Sequence, residues 1–216
     1  MKTIDAKAKD LKTLNSALRE SINGTPVKVQ NASHVHGLAA GMRHGKIIVE
    51  SNAGDYIGVL NAGATIEVTK DAGKYVADNM TAGAVIIDGN ADYGVGQYCY
   101  GGTIVVRGNA GNFTGTMNKG AVIIIGGDVG DEAGTYMLKG DLIVIGNAGE
   151  NFANYLIRGN VYIGGEWKSL GHNTKIEPLA DEDKAKLHAL FEYHQIQADP
   201  TLFKKIVAAS EKPFYN

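Results

Sequence analysis

Between residues 46 and 163 the chain repeatedly sets two apolar residues at alternate positions. The pairs are Ile47 and Val49, Ile66 and Val68, Val85 and Ile87, Ile104 and Val106, Ile123 and Ile125, Leu142 and Val144, and Val161 and Ile163. A period of two is the signature of a strand that buries one face. A glycine precedes each pair, at Gly45, Gly63, Gly83, Gly102, Gly120, Gly140 and Gly159, with intervals of 18, 20, 19, 18, 20 and 19 residues. The pairs align when one extra residue is allowed after Gly63 and after Gly120. A unit this short cannot hold both a strand and a packed helix, so strands must stack on strands. The pattern predicts an all-β fold, a single-stranded right-handed parallel β-helix of about seven or eight coils.

The corners of the coils are equally regular. A turn column reads Asn52, Asp71, Asn90, Asn109, Asp128 and Asn147, with Asn31 as an earlier member, and Gly54 and Gly111 follow it in their coils. Asn and Asp suit such corners because their short side chains bond nearby backbone amides and tolerate left-handed geometry. Four residues beyond the turn glycine a second small residue recurs, as Gly58, Ala77, Gly115, Gly134 or Ala153. An irregular first coil is expected from Gly24 through Asn31 to Gly37, since terminal repeats are often atypical.

The pattern changes at both ends, which divides the chain into residues 1–23, 24–165 and 166–216. Leu11, Leu14, Leu18 and Ile22 share a helical face after Asp10, a good N-cap, and predict a helix that plugs the first coil. Toward the C-terminus, Asp181 reads as the cap of a helix carrying Leu187, Leu190 and Phe191. Asp199-Pro200 reads as the start of another carrying Phe203, Ile206 and Val207.

One column departs from a simple inside-outside pattern. Between the two lumen positions the side chain should face water, yet the residues there are Ile48, Glu67, Ile86, Val105, Ile124, Ile143 and Tyr162. Such a stripe marks an interface. Either a partner protein or the chain's own C-terminal helices must cover it.

Composition narrows the function. The 29 glycines lack a three-residue period, which excludes collagen, and 44% apolar content is that of a folded protein. A net charge of −2 with no basic block argues against nucleic-acid or anionic-membrane binding. The single cysteine, Cys99, forbids an internal disulfide or a cysteine-based zinc cluster and suits a reducing compartment. The charged start and the lack of a long apolar run predict a soluble, cytoplasmic protein.

Local motifs for chemistry fail one by one. Gly94-Val95-Gly96 opens like a dinucleotide fingerprint but lacks the third glycine and a following helix. Hexapeptide periodicity breaks on stepping from Ile104 through Ala110, Thr116 and Val122 to Asp128. Asp71, Asp88, Asp92, Asp128 and Asp131 do not recur in one register, as a calcium-binding β-roll requires. His34, His36 and His44 lack a spaced fourth ligand, and Cys99 has no cation beside it in sequence to activate it. A self-contained enzyme or carbohydrate-binding protein would need a lateral groove, with Tyr75, Tyr93, Tyr98 and Tyr100 or the early histidines as its side chains.

The runs Gly102-Thr-Ile-Val-Val-Arg-Gly-Asn-Ala-Gly111 and Asp88-Gly-Asn-Ala-Asp-Tyr-Gly-Val-Gly-Gln-Tyr-Cys-Tyr-Gly-Gly102 resemble the GXGXG domain that ends the glutamate synthase large chain. The same repeat occurs in formylmethanofuran dehydrogenase, so a component of that type of complex is the alternative. Asp10-Leu-Lys-Thr-Leu-Asn-Ser-Ala-Leu18, Trp167-Lys-Ser-Leu-Gly171 and the closing Phe214-Tyr-Asn216 look like the stand-alone GXGXG subunits of split glutamate synthase-type complexes, including N-methylglutamate synthase. The resemblance implies a non-catalytic scaffold with no cofactor and no catalytic or metal-binding residue of its own. Its implied partners are an amidotransferase-type subunit and a synthase-type subunit with FMN and iron–sulfur centres, and a homo-oligomer is also open.

Overall fold

The computed structural model describes residues 1–22, 24–210 and 212; Asn23, at the expected first boundary, and the closing Phe214–Asn216 lie outside the described residues. Nine strands stack in parallel in chain order: β1 (Lys2–Asp5), β2 (Val27–Gln30), β3 (Lys46–Val49), β4 (Ala62–Val68), β5 (Ala82–Ile87), β6 (Thr103–Val106), β7 (Lys119–Ile125), β8 (Lys139–Val144) and β9 (Asn160–Ile163). The expected parallel β-helix is the fold. Ile47 lies beside Ile66, then Val85, Ile104, Ile123, Leu142 and Val161, and Val49 heads the parallel row that ends at Ile163. Both rows are fully buried and form the lumen. Burial of each such side chain contributes about 1.5–3 kcal/mol before chain entropy is counted.

The two extra residues are bulges, between Ala62 and Thr65 in β4 and between Lys119 and Val122 in β7. A buried asparagine bridges each one. Asn61 Nδ2 donates to the Ala64 carbonyl at 2.9 Å while its Oδ1 accepts from the Ala64 amide at 3.0 Å. Asn118 repeats the arrangement with Ala121, at 2.8 Å both ways, and also accepts from Gly120 at 3.1 Å. Without these amides the bulges would leave buried backbone groups unpaired.

The repeated glycines serve two different needs. Gly83 sits at φ +90°, a conformation costly for other residues, whereas Gly54 has ordinary φ but packs so close to the preceding coil that a Cβ would strike the Val35 carbonyl. The corner residues also work differently from expectation. From Asp71 to Asn147 they lie outside the left-handed region. Each Oδ1 instead accepts the backbone N–H of the equivalent residue one coil on: Asp71 from Asn90, Asn90 from Asn109, Asn109 from Asp128 and Asp128 from Asn147, at 2.7–2.8 Å. The ladder fastens coil to coil rather than closing each turn on itself.

At the N-terminal end the chain begins with a strand the sequence pattern did not reveal, β1, which adds a parallel partner to β2. Helix α1 (Leu11–Ser21) follows, with Asp10 as N-cap accepting from the Thr13 amide at 2.8 Å. Leu14 and Leu18 are fully buried in the lumen cluster, and Asn15 ties the helix to the Gly37 carbonyl and the Ala39 amide. Leu11, expected on the buried face, is 39% exposed.

The C-terminal region differs more from its sequence pattern. Strand β10 (Thr174–Glu177) and helix α2 (Asp181–His194) come first; Ala180, not Asp181, is the N-cap residue, and Asp183 accepts its amide hydrogen at 3.0 Å. The helix expected from Asp199 is only a 3-10 turn, Pro200–Leu202. Phe203 leaves that turn, and Ile206 and Val207 lie on strand β11 (Lys204–Ala208), which pairs antiparallel with β9 and then with β10. Ile206 stands opposite Val161 and is fully buried, so β11 extends the lumen row past the last parallel strand.

Candidate functional site

The outward column runs in register from Ile48 through Glu67, Ile86, Val105, Ile124 and Ile143 to Tyr162. Its last four members, Val105, Ile124, Ile143 and Tyr162, are buried in a second cluster with Leu187 and Phe191 of α2 and with Phe203. Of the two covers open to this stripe, the structure supplies the chain's own C-terminal segment. These four residues are therefore not a free docking surface, which corrects their reading as an interface. Ile86 packs at the margin of the cluster. Ile48 lies two coils beyond, between Lys28 and Glu67, where Lys46 pairs with Glu67 at 2.7 Å.

Polar groups fasten this cover at both ends. Tyr162 donates to Asp183, Lys205 reaches both Asp183 oxygens at 3.0 Å, and Lys186 meets Asp141 at 2.9 Å. Burial by itself would push the Asp183 carboxyl up, but the Tyr162 and Lys205 hydrogen bonds outweigh it and hold the group below its usual range. Burial and the Asp183 hydrogen bond push the Tyr162 phenol far upward, so it remains a donor. At the other end Arg107 donates to the His194 carbonyl at 2.9 Å and to Asp88 at 3.1 Å.

The turn side of the β-helix is different. Tyr56, Tyr75 and Phe113 hold left-handed backbone at one corner, Leu60, Tyr98, Tyr136 and Tyr155 do so at another, and between them Gly58, Ala77, Gly115, Gly134 and Ala153 share that geometry. The second small residue of each coil faces the lumen, where space is limited: at Gly58 a Cβ would meet Ile66 and Val85 at 3.1 Å. The large left-handed residues project outward. Rings of Tyr56 and Tyr75 stack at 4.7 Å, Tyr75 meets Tyr93 edge-on at 5.4 Å, and Tyr93 meets Phe113 at 5.1 Å. Nearby, Leu60 and Tyr100 are 57% and 56% exposed, and Lys119 lies 4.3 Å from the Tyr100 ring centre while bonding its hydroxyl. The 19-residue recurrence of Tyr98, Tyr136 and Tyr155 through Met117 was the available signal for this face.

Other candidate groups have structural partners. Cys99 is buried, bonds the Ala77 carbonyl at 3.0 Å, and burial pushes its thiol up to about 12, so thiolate is absent at neutral pH. His36 Nδ1 accepts the Asp55 amide at 3.0 Å and lies 3.3 Å from the Asp55 carboxylate, so the ring is engaged with the neighbouring coil. His34 and His44 are exposed. Among the described residues no three His, Cys, Asp or Glu side chains are grouped to hold a metal. Tyr75 and Tyr93 are engaged with each other's rings, whereas Tyr98 and Tyr100 flank Lys119 at a different corner.

No helix is long and apolar enough to cross a membrane among the described residues. No curated protein matches the chain. The GXGXG motif family matches residues 95–213, more than half of the 216 residues, and this span takes in the coils from Val95 onward, the antiparallel β11 and the helix that covers the outward column. The chain therefore belongs to the GXGXG motif family.

Proposed function

We propose that this chain is a non-catalytic scaffold subunit of a glutamate synthase-like oxidoreductase of the cytoplasm. It holds an amidotransferase-type subunit and a synthase-type subunit with FMN and iron–sulfur centres in fixed relation. The observation that carries this reading is the exposed row of Leu60, Tyr98 and Tyr100 beside the Tyr56–Phe113 ring stack, borne on a rod whose coils are tied one to the next. Exposed aromatic side chains on rigid backbone lose little entropy on docking and are enriched at protein interfaces. Family membership supports the same context, and the Cys99 thiol and His36 imidazole are held in structural bonds.

The docking surface on this reading is the turn side, not the covered strand side. Leu60→Asp and Tyr100→Asp should each remove the two partner subunits in affinity purification while leaving the circular dichroism spectrum unchanged. Retention of both subunits by the double variant would contradict the assignment.

A further inference from the structure

A pocket of about 260 Å³ lies where the last turn of α1 meets the corner before β3, lined by Arg19, Ile22, Gly41, Met42, Arg43 and His44. Ile22 and Met42 form an apolar floor and are buried, while Arg43 and His44 stand exposed at its rim. Gly45 allows this floor to form, because a Cβ there would collide with Ile22. None of the described lining residues is a carboxylate.

The charges at this pocket are unspent. Arg19 donates one hydrogen bond, to the Ala40 carbonyl at 3.0 Å, which fixes its position and leaves most of its five donors available. Among the described residues, no side chain forms a hydrogen bond or ion pair with Arg43 or His44. Six other cations, Lys28, Lys46, Arg107, Lys186, Lys204 and Lys205, each meet a carboxylate. The C-terminal end of α1 adds roughly half a negative charge, too little to offset two guanidinium groups.

We infer that this pocket binds a carboxylate attached to a small apolar body. The guanidinium forks of Arg19 and Arg43 match a planar carboxylate, His44 can donate a further hydrogen bond, and Ile22 and Met42 receive the apolar part. An inorganic anion would leave that floor uncovered. The carboxylate belongs either to a free small acid or to the end of a polypeptide; both present the same chemistry. This inference does not rest on the scaffold reading and is tested on the chain alone.

The test is titration calorimetry of the full chain with benzoate, with the neutral isostere benzamide and with inorganic phosphate. Benzoate should bind about tenfold or more tightly than benzamide, as expected for charge-assisted hydrogen bonds, and more tightly than phosphate. Arg43→Gln and His44→Gln, checked for an unchanged dichroism spectrum, should each weaken benzoate binding, the arginine variant the more. A short peptide ending in free leucine is compared with its C-terminal amide. Tighter binding of the free-acid peptide than of benzoate assigns the site to a chain end, and the reverse assigns it to a small acid. Equal binding of benzoate and benzamide, phosphate binding as tight as benzoate, or full benzoate affinity in Arg43→Gln would each overturn the inference.

Discussion

Tyr162 donates a 2.6 Å hydrogen bond to Oδ1 of Asp183, joining the outward row of β9 to the first turn of the helix that covers it. The bond is buried, and Lys205 on β11 shares the same carboxylate. Tyr162→Phe keeps the ring in place but removes this donor. A loss of about 1–2 kcal/mol in urea unfolding is expected, because a buried charged acceptor is left short of a partner. Amides of α2 should then exchange faster, while those of the lumen strands keep their protection.

Acid should loosen the same cover in two stages. Burial, and then the Arg107 charge, hold the His194 imidazole below its usual 6.5. The unfolded chain therefore takes up this proton at higher pH than the folded one, and stability falls as pH drops below about 6.5. Asp183 is depressed in the folded state, so its contribution is complete above about pH 4 and is lost as pH falls from 3.8 through its lower folded value. Hydrogen exchange of α2 should rise across the first window and again in the second. His194→Gln should abolish the first rise, and Asp183→Asn the second.

Val105 and Ile124 distinguish a covered stripe from an open one. Either residue changed to Asp places a charge beneath Leu187 and Phe191, which costs several kcal/mol or expels α2. The isolated variants should unfold at lower denaturant and bind a hydrophobic dye. Unchanged stability of isolated Val105→Asp would mean that α2 does not lie over this row.

Asn61→Ala and Asn118→Ala should each destabilise the chain by about 1–3 kcal/mol, since the backbone at each bulge loses buried partners. The two sites serve separate coils, so the double variant should lose close to the sum. Urea unfolding of the three variants measures this.

Much of the fold was legible in the chain because lumen packing demands β-branched residues at fixed positions. Ile47 to Val161 therefore announce their own register. Strand β1 was hidden because only Ile4 in Lys2–Asp5 is buried and three of its four residues face solvent. Strand β11 was mistaken for a helix because Phe203, Ile206 and Val207 fall at helical spacing by chance. The free edge of β9 claimed Ile206 and β10 paired with Val207 instead, while Asp199-Pro200 capped a single 3-10 turn. The outward column was legible as buried, but its cover depended on where α2 lands, which no local pattern encodes. The turn face was least legible of all: left-handed backbone at Tyr56, Tyr75 and Phe113 runs against the ordinary preference of aromatic residues.

The central claim is assembly, and the direct measurement is native mass spectrometry of the chain purified from its own cells at near-physiological salt. The scaffold reading predicts a stoichiometric complex that contains a flavin- and iron–sulfur-binding subunit and an amidotransferase-type subunit. The chain recovered alone, or only as copies of itself, would contradict it.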